Sequence, residues 1–166
     1  MEKSTKIIVG VILFGVILPI AIILPAVNQQ EKRATDLVGI RDYKAGHYDA
    51  AIRELTAYSK AHPLSAEHGL FAEKPQYAQH YLGLALLKQH RYNEAVSVFR
   101  VYAQYAASDE KYYLLGTALF YSGNKREART EFRKTIDDEM QEPSRGRDER
   151  LITSSEEWIA KIDQAH

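Results

Sequence analysis

The chain lacks cysteine, and its 22 Lys and Arg residues are balanced by 22 Asp and Glu residues. The absence of cysteine excludes a disulfide scaffold, thiolate metal sites, a cysteine nucleophile and a lipidated N-terminal cysteine. The zero net charge argues against a general nucleic-acid binder, because such proteins present a basic face to the phosphates. It also excludes a disordered polyelectrolyte.

Motifs for catalysis and cofactor binding are missing as well. The sequence has no HExxH, GxGxxG, P-loop or GxSxG pattern. Six histidines are present, but their spacing does not suit a metal site: His62 and His68 flank Glu67 in a predicted loop, while His80 and His90 fall at opposite ends of one predicted helix. We therefore expect no enzyme activity, no metal, no cofactor and no small-molecule substrate.

One long apolar run is present, in residues 7–27, between a six-residue tail and the rest of the chain. As a helix these residues would rise roughly 31 Å, which is enough to cross the hydrocarbon core. The alternative is a cleaved signal peptide, but the run is longer than its usual apolar segment, and Leu24 occupies a position of the best cleavage site that needs a small residue. The run predicts a single-pass transmembrane anchor.

The basic residues near this run give little preference for either orientation. Lys3 and Lys6 precede it, and Lys32, Arg33, Arg41 and Lys44 follow it. The short N-terminal tail favours an anchor whose N-terminus is inside. This orientation would place the rest of the chain on the non-cytoplasmic, periplasmic side of the membrane.

The remainder of the chain contains three related stretches. In each, a glycine precedes an alanine by 12 residues, and a leucine or phenylalanine follows four residues after the alanine. The three sets are Gly39 with Ala51 and Leu55, Gly83 with Ala95 and Phe99, and Gly116 with Ala128 and Phe132. Each stretch holds two amphipathic segments of helical length, separated by a polar break. We expect the glycines to lie where paired helices approach closely.

These stretches resemble the tetratricopeptide repeat, a helical hairpin with a period of 34 residues. The resemblance covers residues 32–141, with repeats at about 32–65, 76–108 and 109–141 and an insertion at 64–75, in which Gly69 and Pro75 should interrupt any long helix. The expected fold is all-α: a transmembrane helix, then an α-solenoid of three hairpins and a C-terminal capping helix. Such hairpins must stack, because one alone cannot bury its apolar face.

The C-terminal segment consists of a predicted linker at 142–152 and a predicted helix at 153–166. Thr153 with Glu156, or Ser154 with Glu157, has the spacing of a capping box. Trp158 belongs to an apolar stripe on this helix. We interpret the helix as the cap of the last repeat, as such arrays require; the alternative is a helix that docks a partner.

The family resemblance implies a concave groove lined by the first helix of each repeat. In the first repeat, the positions that would face this groove hold Asp36, Ile40 and Tyr43. The candidate partner-binding residues of the whole groove are Tyr43, Tyr77, His80, Tyr81, Leu84, Tyr113, Thr117, Phe120 and Tyr121. Tyrosine is common in interfaces because its ring is amphipathic. The alternative is that several of these side chains pack between helices. Chaperone adaptors of this family hold a terminal carboxylate with Lys, Arg and Asn side chains in the groove. The matching positions of this chain hold residues such as Asp36, Ile40 and Tyr81 instead.

Three functions fit this pattern. The first is a membrane-tethered scaffold or assembly factor that binds proteins through the groove. The second is a chaperone-like holdase for polypeptides near a translocon, and the third is a non-catalytic regulatory subunit of a membrane enzyme. The sequence predicts two kinds of partner, protein and membrane, and predicts no binding of nucleic acid.

Overall fold

The computed structural model describes residues 36–65, 73–141 and 146–164. These residues form α-helices and contain no strand, which confirms the all-α prediction for them. The helices are α1 Val38–Lys44, α2 Tyr48–Ala61, α3 Glu73–Lys88, α4 Tyr92–Tyr105, α5 Lys111–Tyr121, α6 Lys125–Gln141 and α7 Glu149–Asp163. Each helix packs against the next, and α1 also contacts α3.

The apolar run at 7–27 lies outside the described residues, as does most of the predicted insertion. Within the described ranges, none of the helices has the length and apolar character needed to span a bilayer.

Three hairpins, α1–α2, α3–α4 and α5–α6, follow the predicted repeats, and glycines set the distance between their helices. A Cβ built on Gly83 would collide with the ring of Phe99, and one on Gly116 would lie 2.9 Å from Cδ1 of Phe132. Both phenylalanines are fully buried. The first hairpin repeats the arrangement with Gly39 against Leu55. The prediction of close helix approach at these glycines is confirmed.

The turn inside each hairpin has one residue in the left-handed region. Gly46 has a φ of 82°, His90 a φ of 55° and Gly123 a φ of 90°. These residues are 44 and 33 positions apart, as the repeats are. In every turn the next amide donates to a carbonyl five residues earlier: His47 to Asp42, Arg91 to Leu86 and Asn124 to Leu119, each at 2.9 Å. This pattern is the Schellman motif, which closes a helix through a left-handed residue that is usually glycine.

His90 is the one turn residue of the three that carries a side chain, and its replacement by glycine should relieve strain. A side chain in the left-handed region costs roughly 1–2 kcal/mol. We expect the free energy of unfolding of His90→Gly to be at least about 1 kcal/mol higher than that of the control His90→Ala. The control loses the same contact with the Tyr92 hydroxyl but keeps a Cβ. Urea denaturation followed by circular dichroism measures the difference. Equal stability of the two variants would contradict the assignment of strain to His90.

Two helix starts differ from the predictions. Pro75 was expected to interrupt a helix, yet it is the third residue of α3. Proline is tolerated there because amides in the first helical turn have no intrahelical acceptor. The predicted capping box at Thr153 is also wrong, since α7 begins at Glu149 and Asp148 caps it by accepting from the amide of Arg150 at 3.0 Å. Thr153 and Ser154 lie inside the helix.

Helix α7 packs on α6 and covers the last hairpin. Its own side chains Ile152, Ser155 and Ile162 are buried. Two polar contacts fix its ends: the amide of Asp148 donates to Glu139 at 2.8 Å, and Arg129 forms a bidentate ion pair with Asp163 at 2.8 and 3.1 Å. The final helix is therefore attached to the array along its whole length.

Candidate functional site

The second repeat carries a cleft of about 660 Å³ between α3 and the segment that connects α4 to α5. Of the predicted groove residues, the cleft brings together Tyr77, His80 and Tyr81 from α3. The other residues that line it are Glu73, Gln76, Tyr102, Ala107, Ser108, Asp109 and Glu110. The cleft therefore combines aromatic rings with carboxylates, and no Lys or Arg is among its described lining residues.

His80 lies at the centre of the aromatic part of the cleft. Its ring is 5.1 Å from the ring of Tyr81 and 5.7 Å from that of Tyr102. Burial lowers the pKa of His80 to about 4, so the imidazole is neutral at neutral pH. Its Nδ1 lies 3.4 Å from Oε1 of Glu110, whose side chain is 43% exposed. The contact therefore does not neutralise the Glu110 carboxylate.

Tyr102 and the connecting segment form the opposite wall. Burial raises the pKa of Tyr102 to about 12, partly offset by a hydrogen bond to Ser108. The backbone amide of Ala107 donates to Oε1 of Gln76 at 3.3 Å, which ties the connecting segment to α3. Both contacts position the segment that carries Glu110.

Tyr43 of α1 extends the aromatic surface towards the first repeat. Its ring lies 5.2 Å from that of Tyr81, edge-on, and 5.6 Å from that of Tyr48. Nζ of Lys44 lies 5.9 Å from the centre of the Tyr81 ring. Tyr43 thus packs against Tyr81 and does not line the cleft itself.

Three of the four predicted groove residues of the third repeat belong to a different cluster, built around Trp158 of α7: Tyr113, Phe120 and Tyr121. The ring of Trp158 lies 4.6 Å from Phe120, 5.8 Å from Tyr121 and 5.8 Å from Phe132. Its indole nitrogen donates to the hydroxyl of Tyr113 at 3.3 Å. The capping helix occupies this part of the groove, so Tyr113 and Phe120 pack between helices, while Tyr121 stays 48% exposed.

The remaining groove candidates also lie outside the cleft. Ile40 is fully buried, so its predicted place in the groove is wrong: it packs in the core. Leu84 is half-buried against that core. The hydroxyl of Thr117 donates to the carbonyl of Tyr113 within α5 at 2.9 Å. Asp36 is exposed at the start of the described chain.

Several cleft residues were absent from the sequence prediction. Glu110 could have been found, because it lies 33 residues after Tyr77 and holds the same place in its repeat. Glu73 precedes the predicted repeat boundary, and Tyr102 lies on the second helix of its hairpin, where the family resemblance implies no groove residue. Only the packing of α3 on α4 shows that Tyr102 reaches the cleft.

A second cleft of about 450 Å³ adjoins the first and shares Ser108, Asp109 and Glu110 with it. Asp148 and Arg150 line its far side and form an ion pair with a closest distance of 2.8 Å. Across residues 36–65, 73–141 and 146–164, no group of three or more His, Asp or Glu side chains is arranged to hold a metal ion.

Comparison with known proteins supports the repeat prediction. The family model described as tetratricopeptide repeat matches residues 39–110. These residues include the first two hairpins and the cleft wall formed by Ser108, Asp109 and Glu110. A comparison with curated proteins finds no match to the chain. Repeats of this family are generally non-catalytic and serve protein–protein interaction, which suggests an interaction module in the matched region.

Proposed function

We propose that the chain is a membrane-tethered protein-interaction module, acting as a scaffold or assembly factor, and that it binds a segment of a partner protein in the cleft of the second repeat. The observation that supports the proposal is the cleft itself, which exposes tyrosine rings on a helical repeat of an interaction family. Tyrosine, tryptophan and arginine supply most of the strong binding residues in protein interfaces. No catalytic set of side chains was identified in the sequence.

The tether in this proposal is the apolar run at residues 7–27, with the repeats on the periplasmic side. Its support is the sequence pattern alone: 21 consecutive residues without a charged side chain. The intact mass of the protein extracted from membranes tests this part. A mature chain that starts near Val27 would show that the run is a cleaved signal and not an anchor.

The partner can be identified by co-purification with the full chain from a detergent extract, followed by mass spectrometry. One partner in fixed stoichiometry agrees with a scaffold. A broad set of unfolded polypeptides would instead favour the holdase function.

Binding of that partner should depend on the tyrosines of the cleft. The double variant Tyr77→Ala/Tyr81→Ala should lose at least about 2 kcal/mol of binding free energy, or roughly 30-fold in affinity, if both rings are contacted. Isothermal titration with the purified partner measures the loss. The matched control is Tyr58→Ala/Tyr112→Ala, which removes two half-buried tyrosines outside the cleft. A cleft variant that stays folded and binds as the wild type does would place the site elsewhere.

A further inference from the structure

We infer that the cleft of the second repeat selects partner segments in which a lysine or arginine lies next to an aromatic or aliphatic side chain. This inference rests on the proposed function and specifies the chemistry of the segment that would occupy the same site.

The cleft has an acidic lining. Glu73, Asp109 and Glu110 line the cleft, and among its described lining residues there is no Lys or Arg. Two basic side chains lie outside this lining: Nζ of Lys44 is 5.9 Å from the centre of the Tyr81 ring, and Arg150 of the adjoining cleft is held by both carboxylate oxygens of Asp148 at 3.1 and 2.8 Å. Because the described lining carries carboxylates and no basic side chain, it favours a cationic side chain of a partner over an acidic one.

Helix capping does not account for the position of the Glu110 side chain. Glu110 is the N-cap residue of α5, yet its side chain makes no capping hydrogen bond. Its carboxylate instead lies across the cleft, next to the neutral His80. Burial raises the pKa of Glu110, and the neighbouring Asp109 and Asp148 raise it further. This is the behaviour of a carboxylate that would gain from a cation at its side.

Tyrosine rings lie beside these carboxylates in the lining of the cleft. Tyr77, Tyr81 and Tyr102 line the same cleft as Glu110. The aliphatic stem of a lysine or arginine packs well on such rings while its charged end reaches the carboxylates, and the ring faces themselves attract cations. The connecting segment and α3 thus offer both parts of a site for a long basic side chain, and the remaining ring surface suits an apolar neighbour.

A peptide array can test this selectivity directly. The probe is a set of nine-residue peptides with lysine, arginine, norleucine, glutamine or glutamate at the central position and mixed leucine, tyrosine, alanine and serine around it. The full chain, purified in detergent, is applied to the array, and the strongest sequences are remeasured by fluorescence anisotropy. We expect lysine or arginine to exceed norleucine by about tenfold in affinity, as is typical for hydrogen bonds to charged groups.

Two double variants test whether the cleft carboxylates cause the preference for lysine over norleucine. Glu73→Gln/Glu110→Gln should remove the roughly tenfold preference for lysine over norleucine while leaving the norleucine peptide unaffected. The matched control, Glu156→Gln/Glu157→Gln, removes two exposed carboxylates from α7 and should retain the preference. Higher salt should weaken the lysine peptide more than the norleucine peptide, because ion pairing is screened.

The possible failures are distinguishable. If glutamate or norleucine peptides bind as tightly as the lysine peptide, or if the glutamine variant keeps the preference, the inferred selectivity is wrong. The proposed function then still holds, provided that binding is lost in Tyr77→Ala/Tyr81→Ala. If no peptide depends on these two tyrosines, both the proposed site and the inferred selectivity are wrong.

Discussion

Replacing Phe99 by alanine is expected to lower the free energy of unfolding by about 3–5 kcal/mol, the usual cost of removing a fully buried phenylalanine. Phe99 is completely buried, and its ring fills the space directly above Gly83. The same contact predicts that Gly83→Leu is destabilising on its own, by about 1–3 kcal/mol, because the new side chain would collide with the ring. Each change thus alters one side of a single packing contact.

The double variant is the sharper test of that contact. In Gly83→Leu/Phe99→Ala the new leucine enters the space that the lost ring leaves, so the two effects should not add. We expect the double variant to be more stable than the sum of the single effects predicts, with a coupling energy of roughly 1–3 kcal/mol. Urea denaturation of the full chain in detergent, followed by circular dichroism, gives the three values.

The control for side-chain enlargement is Ala57→Leu, at an exposed position of α2. It should change stability by no more than about 0.5 kcal/mol, as is usual for surface substitutions. Additive effects of the two core changes would show that Gly83 and Phe99 do not share a contact, and the repeat alignment would then be wrong.

The second large effect is expected at Trp158. This ring contacts Phe120, Tyr121 and Phe132, and it is the main aromatic contact between α7 and the third hairpin. Trp158→Ala should lower the free energy of unfolding by about 3 kcal/mol, the lower end of the range for tryptophan because the side chain is half-buried. Circular dichroism must follow this unfolding, since Trp158 is the only tryptophan of the chain.

Two further variants separate the causes. Trp158→Phe keeps a ring but removes the indole N–H that donates to Tyr113, so its cost should be nearer 1 kcal/mol. Glu157→Ala changes the exposed neighbour and should have little effect. If Trp158→Ala unfolds at the same urea concentration as the wild type, the ring does not hold α7 in place.

The repeat register was predictable because it depends on contacts within each hairpin. A glycine, an alanine and a large apolar residue at constant spacing can meet only if the two helices pair in one way, and the structure has Gly83 against Phe99 and Gly116 against Phe132. The start of α7 was less accessible to sequence analysis. Its first residues are charged and resemble a linker, and the cap by Asp148 depends on its anchoring to Glu139 in α6.

The candidate site was predicted only in part, for two physical reasons. Repeat phase identifies which side chains of a first helix face the groove, but it does not show that α7 covers Tyr113 and Phe120, 38 to 45 residues away from Trp158. A zero net charge also hides how charge is distributed. The acidic cleft around Glu110 is compensated by basic residues elsewhere, so composition alone cannot show it.

The order in which the helices pack has a consequence for how this chain folds and opens. Because each helix contacts mainly its neighbours in sequence, most native contacts close short loops, and chains of this kind fold quickly. Any hairpin can serve as the nucleus, and the structure can then grow in either direction. Opening should begin at an end of the array, either at α1, a helix of only seven residues, or at α7, because a terminal helix packs on fewer neighbours than a central one. The cleft lies in the middle repeat, so local opening at either end leaves its walls intact.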